Sequence, residues 1–483
     1  MRSCHLARNI IPFVCVLALP SALAGQKPDP LSAAAAALGT AGLSSITFTA
    51  TGRAFMFGQQ PGAAEPWPAV LVKSYEVTID YQHGGMRVEQ IHTSATNRPR
   101  GGSTAIDGER REVLYARDGL AWSETAGQDA VRTATPQPAA AAERAVWTWA
   151  AAPQGLIKAA GTAPVRTTSS GAEFSFTLGG RYRVVATIDR ANHLTAARTQ
   201  IPDDVLGDMP VEVTYSDYGH FGSMAFPSRI LVREGGHPTL DLAVTGVKAN
   251  VVADVTVPDN VRTAAGAPTV QSQKLAEGVY WILGEVDNSL VADMGDHVVV
   301  LEAPLNEATS VATIAEIRKL LPDKPIRYVV NTHLHFDHAG GLRTFVNEGT
   351  AVVTHQDNIA YLDKAWRSKR TIVPDRLSRS GRKWTFRGVT DRLVLRGTNQ
   401  RTIELHHLPG NPHDAQMLVA WLPSEEILFQ ADVLGLPASL LNFSDTIERL
   451  NIRPKQIIGV HGRRPLAMNV VDTAVRNQRA KQK

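Results

Sequence analysis

Cysteine is nearly absent from this chain: 483 residues contain two, Cys4 and Cys15, both close to the start. The rest of the chain therefore has no disulfide framework and no thiolate ligands, and any metal there must be held by nitrogen and oxygen. Long apolar runs are equally scarce. The run from Ile10 to Leu19 follows Arg2 and Arg8 and precedes Ser21-Ala22-Leu23-Ala24, the pattern of a secretory signal peptide over 1–24. That run is short for a permanent span, and no other segment is long and apolar enough to cross a membrane, so no stable span is expected once the signal is cleaved. Neither cysteine stands in a lipoprotein cleavage context, and no twin-arginine pair precedes the run. Export before folding, to the periplasm or the medium, is expected, with metal acquired afterwards. A charge excess is missing too. The formal charge of +4 falls to +2 without Arg2 and Arg8, and the other charges are dispersed, which argues against nucleic-acid binding despite a pI near 9.0. There is no internal repeat.

What is present divides into two textures. After an Ala-rich, low-complexity segment over 25–43, apolar and polar positions alternate in several runs between 44 and 260. Examples are Tyr75, Val77, Ile79 and Tyr81; Tyr182, Val184, Ala186 and Ile188; and Val211, Val213 and Tyr215. This predicts a mainly antiparallel β (α+β) domain with one face of each strand buried. Gly179-Gly180 marks a hairpin turn, and a helical patch covers Ala139 to Ala160. A curved sheet wrapped on a helix fits, and the pattern loosely resembles periplasmic lipoprotein-carrier half-barrels. His83, His92, His220 and His237 show no ligand spacing. Residues 261–273, rich in Ala, Thr, Gln and Pro, are expected to link this domain to a second over 274–466, followed by a polar tail over 467–483.

The second domain carries the chemistry. Ile326, Tyr328, Val329 and Val330 form an apolar, β-prone run that ends at Asn331-Thr332-His333-Leu334-His335-Phe336-Asp337-His338-Ala339-Gly340-Gly341. In extended backbone His333 and His335 point the same way and can share a cation. Asp337 and His338 then present an oxygen and a nitrogen from a turn, with Gly340 and Gly341 allowing tight backbone before a helix starts at Leu342. Such a set does not close a catalytic site, so further ligands should lie at later strand ends. His413, Asp432 and His461 each stand where an apolar strand runs out, respectively after Thr402 to Leu408, Ile427 to Gln430 and Ile457 to Gly459. Asp414 is a candidate to orient the His413 imidazole. Asn288 is either a turn former or a substrate contact, and His355 is equally ambiguous. His406 and His407 face opposite sides of a strand and cannot both line one pocket. The basic stretch Tyr361 to Arg370 is either a substrate lid or a solvated helix face.

These motifs resemble the metallo-β-lactamase-fold superfamily, whose His-x-His-x-Asp-His signature stands here as His333, His335, Asp337 and His338. The resemblance covers about 274–466 and implies an α/β fold, an αββα sandwich with the site at one edge of two packed sheets. It further implies one metal held by His333, His335 and His413 and a second by Asp337, His338 and His461, with Asp432 bridging. The true zinc β-lactamases commonly place a cysteine or a further histidine in the second site; this chain offers Asp432. That departure favours the broader branch that includes glyoxalase II-like and lactonase-like enzymes. The His413 loop reads Asn-Pro-His-Asp in place of the His-Thr-Pro-Gly frequent in the family.

The expected function is a hydrolase with two Zn2+ ions, Fe or Mn being acceptable to the same donors, that cleaves a small ester, lactone, thioester or amide. Two cations would bring the pKa of a bound water towards about 7. Asp337 is the candidate to orient that nucleophile and pass a proton to the leaving group. Two alternatives stay open: a mononuclear iron oxidoreductase like the persulfide-oxidising relatives, and a periplasmic carrier with a vestigial hydrolase domain. The partner is a small molecule whose identity the motifs do not give, and oligomeric state is unread.

Overall fold

The alternating runs between 44 and 260 become thirteen antiparallel strands in one sheet. The computed structural model describes residues 29–96, 99–102, 108–126, 132–222, 224–264 and 267–481; the signal expected at 1–24 and both cysteines lie outside them. Ser45–Phe55 pairs with Ala69–Asp80 on one side and with His237–Ala249 on the other. From this centre the sheet grows both ways to edges at Arg132–Pro136 and Val165–Thr168. Two helices, Ala141–Ala150 and Pro153–Ala160, lead from one edge to the other, the second opening with the proline in its first turn. Their Val146, Trp147, Leu156 and Ile157 share a core with Phe48, Tyr75, Val213 and Phe226 of the sheet. Trp147 Nε1 donates to the Tyr75 hydroxyl at 3.0 Å, giving its buried N–H a partner.

Three expected boundaries shift. The segment 25–43 contains a helix, Pro30–Ala37, capped by Asp29, whose Oδ1 accepts from Leu31 N at 3.0 Å. Leu31, Ala34 and Leu38 are buried in the sheet domain's core, so that domain begins before residue 44. The span 261–273 is not a plain linker: Val261 packs with Val255 and Val257 on Tyr115 and Trp122, and Gln271–Ala276 is already an edge strand of the second domain. The polar tail is a helix, Met468–Ala480, that buries Val471 and Val475.

The second domain is the αββα sandwich expected. Its first sheet has seven strands, antiparallel from Gln271–Ala276 to Val298–Leu301 and parallel through Ile326–Val330, Ala351–His355 and Phe386–Val389. Its second has five, from Arg392–Arg396 to Gln456–Gly459. Side chains alternate between layers. Val299, Leu301 and Val330 meet Leu405, Ala420 and Phe429 between the sheets, whereas Val298, Val300 and Val329 face Ile314, Ile317 and Phe345 outside. Burial on both faces explains why these strands are apolar throughout. On the far side Leu428 and Ile457 meet Phe443 and Ile447 of the helix Pro437–Arg449.

The two domains share packed and polar contacts. Trp67 and Phe57 meet Phe336 with ring centroids 6.1 and 5.2 Å away. The basic stretch Tyr361 to Arg370 lies partly in the helix Asn358–Trp366 and exposes Lys364, Arg367 and Lys369, as a solvated face would, but its last residue turns inward. Arg370 is buried and donates to the carbonyls of Asp203, Asp204 and Val205 at 2.8–3.0 Å, and Thr371 N donates to Asp208 Oδ2 at 2.7 Å. It clamps the sheet domain to the sandwich.

Candidate metal centre

The strand Ile326–Val330 ends at Asn331, whose Nδ2 donates to the His333 carbonyl at 2.6 Å and turns the chain at once. His333 to His335 therefore leave the strand, and His335 caps a one-turn helix, Phe336–Ala339, that carries Asp337 and His338. This one-turn helix replaces the expected turn, and the helix expected from Leu342 follows it as Leu342–Asn347. Gly340 and Gly341 are needed for close approach and not for unusual backbone angles. A Cβ on Gly340 would lie 1.9 Å from the Leu305 carbonyl oxygen, and one on Gly341 2.2 Å from Ser310 Oγ.

The later residues arrive from the second sheet. Asn411 Oδ1 accepts from His413 N at 3.0 Å and from Ser439 Oγ at 2.7 Å, fixing the loop that aims His413 inward. Asp432 follows Ile427–Gln430 in left-handed backbone, φ 55°, a conformation that Asp tolerates better than most residues and that marks functional sites. His461 follows Gln456–Gly459, and Asn288 holds its loop by donating to the Gly462 carbonyl at 2.8 Å. Asn288 is thus a tie between loops.

All seven expected residues come together. Ligand atoms of His333, His335, His413 and Asp432 lie within 4.8 Å of one another, as do those of Asp337, His338, Asp432 and His461. Asp432 is common to both groups. Its Oδ2 lies 3.0 Å from His338 Nε2, 3.2 Å from His413 Nε2 and 3.5 Å from His333 Nε2, and its Oδ1 lies 2.7 Å from His461 Nε2. Asp432 Oδ2, His335 Nδ1 and both nitrogens of His338 are buried without an aligned hydrogen-bond partner. Orphaned donors and acceptors converging in this way fit divalent cations held by nitrogen and oxygen.

Partners outside the cluster set the tautomers of His333 and His335. Thr332 Oγ1 gives its proton to Glu302, so it can only accept from His333 Nδ1, 2.9 Å away, which leaves the Nε2 lone pair facing inward. His335 Nε2 donates to the Gln60 carbonyl at 2.9 Å, which leaves Nδ1 as its ligand atom. Burial, reinforced by neighbouring imidazoles, holds His333 and His335 well below the ordinary histidine range, the neutral state a ligand needs. Burial also disfavours charge on His338 and Asp432, but the two lie together: Asp337 and Asp432 raise His338, and the histidines lower Asp432. Burial works against protonation of His461 too, yet Asp287 and Asp432 hold it up at about 10.

Several contacts lie beyond the motif. Gln59 Nε2 donates to Asp337 Oδ1 at 2.8 Å, from the other domain. Asp287 Oδ1 lies 2.8 Å from His461 Nδ1, and Glu302 Oε2 lies 3.4 Å from His338 Nδ1. Glu302 stands directly after the all-apolar strand Val298–Leu301, a signal that could have found it; Asp287 directly precedes the strand Asn288–Asp293, and Gln59 carried no signal at all. Asp414 does not orient His413: its Oδ1 accepts from Gln416 N at 2.6 Å, while His413 Nδ1 is unpartnered. Burial pushes the Asp414 carboxyl up to about 6. His355 packs on His407 with ring centroids 4.4 Å apart, and His406 Nε2 lies 3.1 Å from Glu404; none of the three joins the donor groups.

Residues 287–450 match the family described as the metallo-beta-lactamase superfamily. A linear primary-alkylsulfatase from Pseudomonas sp is 25% identical over 165 residues, 33% of this chain and 24% of the sulfatase, so the match spans about a quarter of that relative. Among solved structures, a metallo-beta-lactamase from Pontibacter korlensis overlaps 44% of this chain and 99% of its own, at 17% identity and a TM-score of 0.34. Rubredoxin oxygen:oxidoreductase from Desulfovibrio gigas overlaps 43% of this chain and 62% of its own, at 16% identity and a TM-score of 0.35.

Proposed function

We propose that the metallo-beta-lactamase superfamily domain at 287–450 makes this chain an exported, dizinc hydrolase of esters, lactones, thioesters or amides, acting in the periplasm or medium. The observation that carries the reading is Asp432, a buried carboxylate shared by two donor groups whose remaining members are neutral or cationic imidazoles and Asp337. Sharing of this kind suits two cations held close together better than one. When bound, two such cations supply Lewis acidity and bring the pKa of a water towards about 7.

The chain's own residues divide the remaining work. Gln59 occupies Asp337 Oδ1, so the carboxylate is fixed in one orientation with Oδ2 turned towards His338, 3.5 Å from its Nε2. In that position Asp337 orients the attacking water and carries its proton towards the leaving group. Asp337 is half-buried, whereas His333, His335, His338 and His413 are fully covered, so it lies at the substrate side of the cluster. Asp287 steadies His461, the most exposed of the histidines that contribute donors.

The test is metal analysis of the full-length protein together with a hydrolysis panel, run beside Asp337→Ala. The panel takes in esters, lactones, thioesters and amides, and the sulfatase likeness adds a primary alkyl sulfate. We expect zinc at about two per chain and turnover of at least one class, reduced by about a hundredfold or more in the variant. One iron per chain with no hydrolysis would overturn the reading.

A further inference from the structure

A cavity of about 890 Å3 begins at the metal centre and runs into the sheet domain. Asp337, Phe336 and Leu305 line its sandwich end, and Val88, Trp147 and Val213 line the part enclosed by the curved sheet and its helix. A small ester needs none of this space, for the volume lies near the upper end of sites that enclose a drug-sized molecule. The inner wall is built from the inward faces of strands, where alternation directs apolar side chains. One carboxyl of the wall is subdued as well: burial pushes Glu234 up, favouring its neutral form. Two cations also line the cavity, but Arg110 pairs with Glu112 at 3.4 Å and Arg144 donates to the carbonyls of Tyr115 and Trp122, so the remaining apolar wall suits a hydrocarbon chain.

We propose that the substrate is a single-chain amphiphile, with its hydrocarbon chain in this cavity and its ester or other hydrolysable head beside Asp337. The inference deepens the hydrolase reading and rests on it for the chemistry. For a carboxylic ester, one C–O bond forms to water as the acyl C–O bond to the alcohol breaks; the proton from water passes to the departing alkoxide, leaving an acid and an alcohol. No other reactant is needed. Binding energy gained along the chain, away from the reacting carbonyl, positions the head for attack.

Two measurements on the full-length protein separate the chain site from the chemistry. The first follows kcat/KM for p-nitrophenyl esters from acetyl through octanoyl to dodecanoyl, below their micellar concentrations. Each methylene should raise it by about threefold to fourfold until the cavity is filled. In Val213→Trp, which fills part of the cavity, the rise should stop at shorter chains. The second titrates dansylaminoundecanoic acid into metal-stripped protein and displaces it with dodecanoate, acetate serving as control. Length-independent hydrolysis without displacement by dodecanoate sinks the amphiphile inference and spares the hydrolase reading. Displacement with no hydrolysis of any class in the panel keeps the chain site and sinks the hydrolase reading. Absence of both hydrolysis and displacement sinks both proposals.

Discussion

Replacing Gln59 by leucine tests whether the sheet domain takes part in the chemistry of the sandwich. Gln59 Nε2 donates to Asp337 Oδ1 at 2.8 Å, a bond to a carboxylate across 278 positions of sequence. Hydrogen bonds to charged groups contribute about 1.5–3 kcal/mol. If the bond is needed to hold Asp337 in its working orientation, that energy appears in the barrier, and at about 1.4 kcal/mol per factor of ten it lowers the rate between about tenfold and a hundredfold. Leucine has a similar volume and removes both polar ends, so the half-buried position is not left with a new unpaired group. The assay is steady-state kinetics on the best substrate of the hydrolysis panel, with metal content measured on the same sample. A fall in kcat at nearly constant KM and unchanged metal is expected, because the bond acts on Asp337 and not on the substrate. A kcat within about twofold of the parent at full metal content, well below the range set by the bond, would refute the coupling.

Gly58→Ala strains the same junction sterically. Gly58 has φ +67°, and a Cβ there would lie 2.3 Å from Phe336 Cγ, so a loss of about 1–3 kcal/mol is expected as a lower urea midpoint; an unchanged midpoint would show that the junction yields freely. Asp204 tests the pH response. Asp204 is open along the cavity it lines, and desolvation by the protein around it, with Asp203 beside it, pushes its carboxyl up to about 7. An acid whose folded pKa is raised binds its proton more tightly when folded, so its contribution to stability declines as pH rises from about 4 to about 7. Asp204→Asn should flatten the stability profile over that window and gain most above it, as seen in urea midpoints at several pH values; parallel profiles for the two proteins would contradict this.

Much of the sandwich could be read because its physics is local. Parallel strands buried on both faces must be apolar throughout, so Ile427–Gln430 and Gln456–Gly459 were visible as strands and their following Asp432 and His461 as strand-end residues. The misread segments share a different property: little of their surface is buried. Gln271–Ala276 is an edge strand with its first four residues exposed, so no alternation marks it. Met468–Ala480 buries only Val471 and Val475, a stripe too narrow to stand out among polar neighbours. In Pro30–Ala37 most of the side chains are alanine, which conceals which face is inside. The glycines at 340 and 341 were recognised as necessary for the wrong reason, since only the fold reveals that Leu305 and Ser310 press against them. Contacts such as Gln59 with Asp337 have no local signature, because they depend on how two separately folding patterns dock.

That docking explains why the donor set is a property of the whole chain. His333 and His335 need opposite tautomers to turn their lone pairs inward, Nε2 in one and Nδ1 in the other. The sandwich sets the first alone, through Glu302 and Thr332. The second depends on the Gln60 carbonyl of the sheet domain, and nothing in the motif around His335 itself would impose it. The same short segment, Phe57 to Gln60, also packs Phe336, supplies a carbonyl to its backbone N–H from Gly58 at 3.2 Å, and binds Asp337 through Gln59. Three consecutive residues of the motif, His335 to Asp337, are therefore held from the sheet domain. The cavity that starts at Phe336 and Asp337 continues between the same elements, so the contacts that fix the donors also form its mouth. Any shift of one domain against the other must move the tautomer-setting carbonyl, the Asp337 partner and the cavity entrance together.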